Sequence, residues 1–512
     1  MTGFNSGDGA VRRRERVGGA IPTALIVGVL AWLFPPPTPG AAAPTIPRRA
    51  VEPATCPIVL APSIAERTRC GRLTVPENRQ LAGGRTVAIN FAVVSAAEPE
   101  GARDPLLFVM GGNGSGLKML QRQARLAARL SRHTDVIFVD HRGSTPWGWP
   151  DMSCREFPEG LDAASPGADP AVVAACRRHL DERLDINRYG PFEAAEDLRD
   201  LRLALGVPRW SVYGVSYGTT IAQRLLGLDS ASIGAIALDG MSGVESNGFA
   251  EAFLLDPLLD LLDECAASAE CSAAFPAFEQ QLGSVAAALE QRPRRIGGEL
   301  VSHVEYLARL RHAMTDPDRR GRIPLAVASS ARGDDRAWAA LRVADEPQGG
   351  GGRDPAFTWP GSVCRDEWPR RDDPDRRQTA RRAVADAIRR GARLVSAESW
   401  DWENFCPRMG FKKSSPETFA VPQATVPALM LVGQLDLVTP PTWSDQVARS
   451  MSNARTVVFA QTGHFVLLRQ TECVATLLQR FYADPAAPLD TACVDQLPKT
   501  RWASDGRGRT PR

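Results

Sequence analysis

Residues 214 to 218 read Gly-Val-Ser-Tyr-Gly, directly after the apolar β-type run RWSVY and directly before the helical run TTIAQRLLG. A serine on such a junction has the pattern of a nucleophile elbow. The turn from strand to helix is so sharp that side chains at the two glycine positions would collide with the neighbouring strand and helix. This one feature constrains the fold as much as the chemistry, because it needs a strand ending within a sheet and a helix packing back onto it.

The order of elements around it is consistent. Strands are predicted at 71–79, 86–95, 105–110, 135–140, 209–215 and 233–239, with helices at 117–131, 193–205 and 217–228. Strands alternating with helices, and rich in uninterrupted apolar residues, predict a mostly parallel sheet covered on both faces. From about 245 to 410 that rhythm stops. The stretch is helix-rich at 250–290 and 302–314 and carries the loop QGGGGRDP at 348–355. The strand pattern resumes at 427–433 and 455–460, and a helix follows at about 470–483. We therefore expect an α/β fold in two halves, 44–244 and 411–512, with a helical cap inserted at 245–410. No repeat with a period of 20 to 50 residues is visible, which argues against solenoids and propellers.

With 61 basic against 59 acidic side chains in 512 residues, net charge gives no reason to expect nucleic acid as a partner. The N-terminus is more informative. RRRER at 12–16, an apolar run at 20–34 and then PPPTPGAAAP have the layout of a secretory signal, taken here as residues 1–43. The run is shorter than the ~20 residues of a spanning helix, so no stable membrane partner is expected once the signal is removed. Export to a periplasm, cell envelope or medium implies an oxidising compartment, and the ten cysteines then read as disulfides. Proximity suggests Cys56 with Cys70, Cys154 with Cys176, Cys265 with Cys271 and Cys473 with Cys493, leaving Cys364 with Cys406. The absence of any CxxC or HExxH argues against a metal site.

A serine hydroxyl needs a base to take its proton and a carboxylate to orient that base, in the chain order serine, acid, histidine for this kind of elbow. Only His303, His312 and His464 follow Ser216. The first two fall in the helical insertion, whereas His464 in QTGHF follows the last predicted strand, so it is the expected base. Asp436 in VGQLDLVTP follows the preceding strand and is the favoured acid, with Asp239 in ALDG as the rival. Asp140 in VDHRGS precedes the serine and reads as a turn anchor. Developing oxyanion charge needs backbone donors, expected from Gly112 in GGNGSG (111–116) and from Tyr217, the residue after the nucleophile. A phosphate loop would require Lys-Ser or Lys-Thr at its end, and Leu117-Lys118 does not supply it.

Taken together, GGNGSG, VDHRGS, GVSYG, GQLDLVTP and TGHF resemble the α/β-hydrolase serine peptidases of the prolyl aminopeptidase type, and above all their secreted tripeptidyl aminopeptidase-like branch. CGRLTVPENR at 70–79, Cys364-Arg-Asp366, and Cys473 with Cys493 extend the resemblance over roughly 56–495. The resemblance implies an α/β-hydrolase fold and release of short N-terminal peptides or amino acids, without metal or cofactor. The chain departs from the pattern at Asn113, where proline is usual, and in the segment STPWGWPDMSC. An exopeptidase must meet a cationic α-amino group, and Asp366 and Glu367 in VCRDEW are the candidate acceptors. The bland alternative pairs them with Arg365 or Arg370 on a solvated face. An esterase or amidase acting on a small acyl substrate, and a silent binding protein on the same fold, remain as other readings.

Overall fold

The computed structural model describes residues 51 to 503, apart from 102, 113, 145–151, 153–168, 244–251, 297, 335, 342–360, 371–379, 399–401 and 415–421. The proposed signal, Asn113, Cys154 and the QGGGGRDP loop lie outside the described residues.

Nine strands form the main sheet: β1 (Val51–Pro53), β2 (Thr68–Pro76), β3 (Thr86–Val94), β4 (Leu106–Val109), β5 (Val136–Val139), β6 (Trp210–Ser216), β7 (Ile233–Met241), β10 (Ala428–Gly433) and β11 (Ala454–Phe459). A small antiparallel hairpin, β8 (Arg294–Ile296) and β9 (Glu299–Val301), lies apart from it. The sheet order is β1-β2-β3-β5-β4-β6-β7-β10-β11. The β1, β2, β3 and β5 neighbours pair antiparallel, and every pairing from β5–β4 to β10–β11 is parallel. β6, which carries the elbow, is thus a central strand.

Alternation along the central strands builds a core on each face. Leu107 and Val109 of β4, with Ala428, Met430 and Val432 of β10, join one cluster; Leu106 and Phe108, with Leu429 and Leu431, join the other. Between β7 and β10 the chain is mainly helical, including Ala252–Ala267, Phe278–Gln291, His303–Met314, Ile323–Ala331 and Asp386–Glu398. These helices bury a third cluster of their own, which also takes in Leu437 from the loop after β10. The run expected as one helix at 117–131 is two, Gly116–Arg122 and Ala124–Leu130, because Gln123 leaves the helical region at φ −122°, ψ 42°.

Among the described residues, four disulfides have both cysteines placed, Cys56–Cys70, Cys265–Cys271, Cys364–Cys406 and Cys473–Cys493. Cys176 is also disulfide-bonded. Bridges in this number point to an oxidising environment. Among the described residues, no helix is long and apolar enough to cross a membrane.

Candidate active site

Ser216 ends β6 and caps the Tyr217–Asp229 helix with φ 54° and ψ −128°. A non-glycine residue in that region carries strain of order 1–3 kcal/mol, so the surroundings must hold it there. They do so by close approach. A Cβ on Gly218 would stand 2.4 Å from the Val109 carbonyl oxygen, and one on Gly214 would stand 2.7 Å from that of Gly218. The Thr219 hydroxyl accepts from the Ser242 N–H at 2.9 Å and donates to the Ser216 carbonyl at 2.5 Å, fastening the turn to the chain leaving β7.

His464 and Asp436 reach the same sheet edge from two successive loops. His464 Nδ1 lies 2.8 Å from Asp436 Oδ2. Asp436 is almost fully buried, and its Oδ1 accepts from the Val438 and Thr439 N–H groups at 2.9 Å each, while the Thr439 hydroxyl donates to Oδ2 at 2.7 Å. Those donors hold the carboxylate aimed at the ring. Burial opposes the imidazolium, but Asp436 outweighs it, so the His464 pKa is raised above 6.5. Ser216 pairs in register with Met241, the residue after Gly240, and a Cβ on Gly240 would lie 3.0 Å from Asp436 Oδ2 and from His464 Nδ1. Serine, histidine and aspartate thereby share one edge.

Asp239, the rival acid, is turned to other work. Its Oδ1 accepts from the Val466 N–H at 2.9 Å, and its Oδ2 accepts from the Leu467 N–H at 2.9 Å and the Tyr213 hydroxyl at 2.7 Å. Burial pushes its pKa up to about 6 against those donors. It anchors the short turn that follows His464, in which Phe465 holds φ 66°. Asp140 likewise anchors the glycine loop, accepting from the Ser115 hydroxyl at 2.6 Å and the Leu117 N–H at 3.1 Å.

The loop after β4 lies against the nucleophile: a Cβ on Gly111 would stand 2.5 Å from that of Ser216. Gly112 follows at φ 54° and faces open space. Tyr217 is buried, with the His141 ring edge-on to it at 5.8 Å. His141 is a neighbour that sequence reasoning passed over, because it precedes the serine. Burial pulls its pKa down to about 4, against backbone contacts with Arg142 and Gly112, so it is neutral at neutral pH. Its one available signal was the position beside Asp140 at a strand end.

Asp366 and Glu367 lie on the turn Val363–Glu367, both half-buried. The Ser362 hydroxyl donates to Asp366 Oδ2 at 3.1 Å, and Ser414 is a further hydrogen-bond partner. Ser362 also hydrogen-bonds Tyr217, so a short hydroxyl chain connects Asp366 with the residue after the nucleophile. Burial raises the Asp366 pKa. The expected arginine neighbours take other partners. Arg365 pairs with Glu193 at 3.4 Å, and Arg370 Nε donates to the Asp366 backbone carbonyl at 2.5 Å rather than to its carboxylate.

A model of the alpha/beta hydrolase fold matches residues 104–470. Among solved structures, the chain is similar to a meta-cleavage product hydrolase (CumD) from Pseudomonas fluorescens IP01, with 14% identity, a TM-score of 0.34, and 78% of this chain and 95% of that one covered. It is also similar to the esterase EaEST from Exiguobacterium antarcticum, with 13% identity, a TM-score of 0.33, and 78% and 96% covered. A thermophilic esterase from Thermogutta terrifontis gives 14% identity, a TM-score of 0.33, and 81% and 99% covered. No curated protein matches the chain. The matched segment runs from just before β4, through the elbow and the Asp436 loop, to His464 and beyond, and the chain belongs to the alpha/beta hydrolase fold family.

Proposed function

We propose that this hydrolase is an exported serine exopeptidase that releases short N-terminal peptides or amino acids through an acyl-enzyme on Ser216. His464 takes the proton from Ser216 Oγ as the Oγ–carbon bond forms. The carbonyl oxygen becomes an oxyanion, received by the N–H groups of Gly112 and Tyr217. The carbon–nitrogen bond then breaks as His464 passes its proton to the departing amine, and a water activated by the same histidine releases the acyl group. Asp436 keeps His464 in the tautomer with Nδ1–H toward the carboxylate. No step calls for a metal or cofactor.

The observation that carries the exopeptidase reading is Asp366. It is a carboxylate connected through Ser362 to Tyr217, its hydrogen-bond partners are hydroxyls, and among the described residues no arginine or lysine forms an ion pair with it. Arg365 and Arg224 act on it only through charge at longer range, so a substrate ammonium would supply the direct cationic partner that its hydroxyl neighbours do not. Glu367 is the second acceptor on the same turn. The disulfides support export.

The test compares aminoacyl and tripeptidyl anilides, free and N-acetylated, with short acyl esters. We expect free-amine anilides to be the better substrates, and Asp366→Asn to raise their KM about tenfold or more while leaving the acetylated series nearly unchanged. Equal effects on both series would instead favour an esterase or amidase acting on small acyl substrates.

A further inference from the structure

The insertion helix His303–Met314 sends Arg311 to the loop that carries Asp436. Arg311 Nη2 donates to the Leu437 carbonyl at 2.7 Å. Its guanidinium carbon lies 4.4 Å from the centroid of the Phe253 ring, which lies 5.9 Å from that of Trp443, in the helix following the same loop. One arginine thus links two insertion helices to the chain that follows the acid.

Its charge is the feature to explain. Arg311 Nε is buried without a hydrogen-bond partner, and among the described residues no carboxylate lies within ion-pair distance of the guanidinium. Burial pulls its pKa down to about 10, and the charge that opposes this is Asp436, acting at longer range. The group therefore stays cationic at neutral pH. Burying an uncompensated cation is unfavourable, and a neutral side chain of similar length would fill the same space without that cost. The Phe253 face and the Leu437 carbonyl offset part of it.

We propose that Arg311 is a positioning residue for the acid: it pins the Asp436 loop to the insertion, and its cation partly offsets the Asp436 charge felt by His464. This rests on the Ser216–His464–Asp436 reading above. The other charged groups facing His464 are Asp239 from β7 and Arg469, whose Nε donates to the His464 carbonyl at 2.7 Å. His312, next to Arg311, has its own pKa lowered by burial and by Arg311. Removing the Arg311 cation leaves Asp436 less opposed, so the His464 imidazolium becomes easier to form. The acidic limb of kcat/KM then moves to higher pH.

The experiment measures kcat and KM from acid to alkaline pH for the wild type, Arg311→Met, Arg311→Gln and Arg311→Lys, on whichever ester or anilide the wild type turns over. Melting temperatures are recorded alongside. Both neutral variants should lose about tenfold in kcat with little change in KM, and their acidic limb should rise by about half a pH unit. Arg311→Lys, which keeps the charge, should keep the limb in place. If the methionine variant fails to fold, the other two still carry the comparison. A limb that does not move in the folded neutral variants overturns the proposal, as does a rise in KM at constant kcat, which would make Arg311 a substrate contact. Ser216→Ala is run beside them. Surviving turnover there overturns the triad and this proposal together, whereas a dead Ser216→Ala with an unmoved limb overturns this proposal alone.

Discussion

At the scale of single residues, the site turns on which carboxylate faces His464. Asp436 and Asp239 are both buried at strand ends beside the histidine, but only Asp436 contacts Nδ1, while Asp239 is saturated by Val466, Leu467 and Tyr213. Ser216→Ala and His464→Ala should each abolish turnover, and the double variant should be little worse, because the members of such a unit fail together. Asp436→Asn should lower kcat by about 10⁴ by favouring the wrong histidine tautomer. The pH dependence has a definite sign. His464 must be neutral to accept a proton, and its pKa is raised above 6.5, so kcat/KM should climb with pH through a value above 6.5 and fall away on the acid side. In Asp436→Asn the main cause of that raise is gone, while burial and the weaker influence of Asp239 remain, so the limb of the residual activity should move down. A steady-state pH profile of the two proteins checks both statements. A larger loss in Asp239→Asn than in Asp436→Asn would reverse the assignment.

At the scale of elements, the helix Pro191–Leu205 joins the site to the rest of the core. Proline at its start, Glu193 reaching back to the Gly190 N–H at 3.2 Å, and Gly206 in the left-handed region at its end define its limits. One face then presents Asp197 and Asp200 to the arginines of neighbouring segments. Arg142, from the segment VDHRGS, is about 1% exposed and bidentate to Asp197 at 2.6 Å twice, and Arg79 reaches Asp197 at 2.6 Å and Asp200 at 3.0 Å. Near the helix start, Glu193 meets Arg365 of the turn that carries Asp366. Removing one partner from such a buried pair strands the other charge. Asp197→Ala should therefore cost about 3–5 kcal/mol, read from the urea midpoint. A loss below ~1 kcal/mol would show that Arg142 finds water or Arg79's other partners in its place.

At the scale of the whole molecule, each of the four disulfides whose two cysteines are described closes within one part of the chain, and none of them joins the insertion to either half of the sheet region. Cys364–Cys406, closing 42 residues, ties the Asp366 turn to the helix Trp402–Met409. Disulfides of such size contribute about 2–4 kcal/mol, so a reducing agent should lower the melting temperature. Opening this one by Cys364→Ser with Cys406→Ser should also raise KM for free-amine anilides more than it lowers kcat if Asp366 receives the amine as proposed, since it loosens the turn that carries Asp366 and removes no residue of the elbow. Mass mapping of the unreduced protein checks the pairing, and a free thiol after unfolding would contradict it.

Much of this was legible along the chain, and the reason is locality. The elbow is a property of five consecutive residues and their flanks, the central strands are continuous apolar runs, and acid and base each follow a strand closely, so chain order alone places them at one edge. What chain order cannot carry is the choice between groups that converge from distant segments. Position along the chain favours Asp436 over Asp239 without deciding between them; in the fold each accepts from three neighbouring donors, and of the two only Asp436 also meets the ring. Arg365 stands next to Asp366 but reaches Glu193, 172 positions away in sequence, and Arg311 reaches Leu437 across 126. His141 gains its place beside Tyr217 only when β5 and β6 close on either side of β4. Hydrogen-bond saturation and burial depend on what the fold brings within about 3 Å, and that is decided by tertiary packing alone.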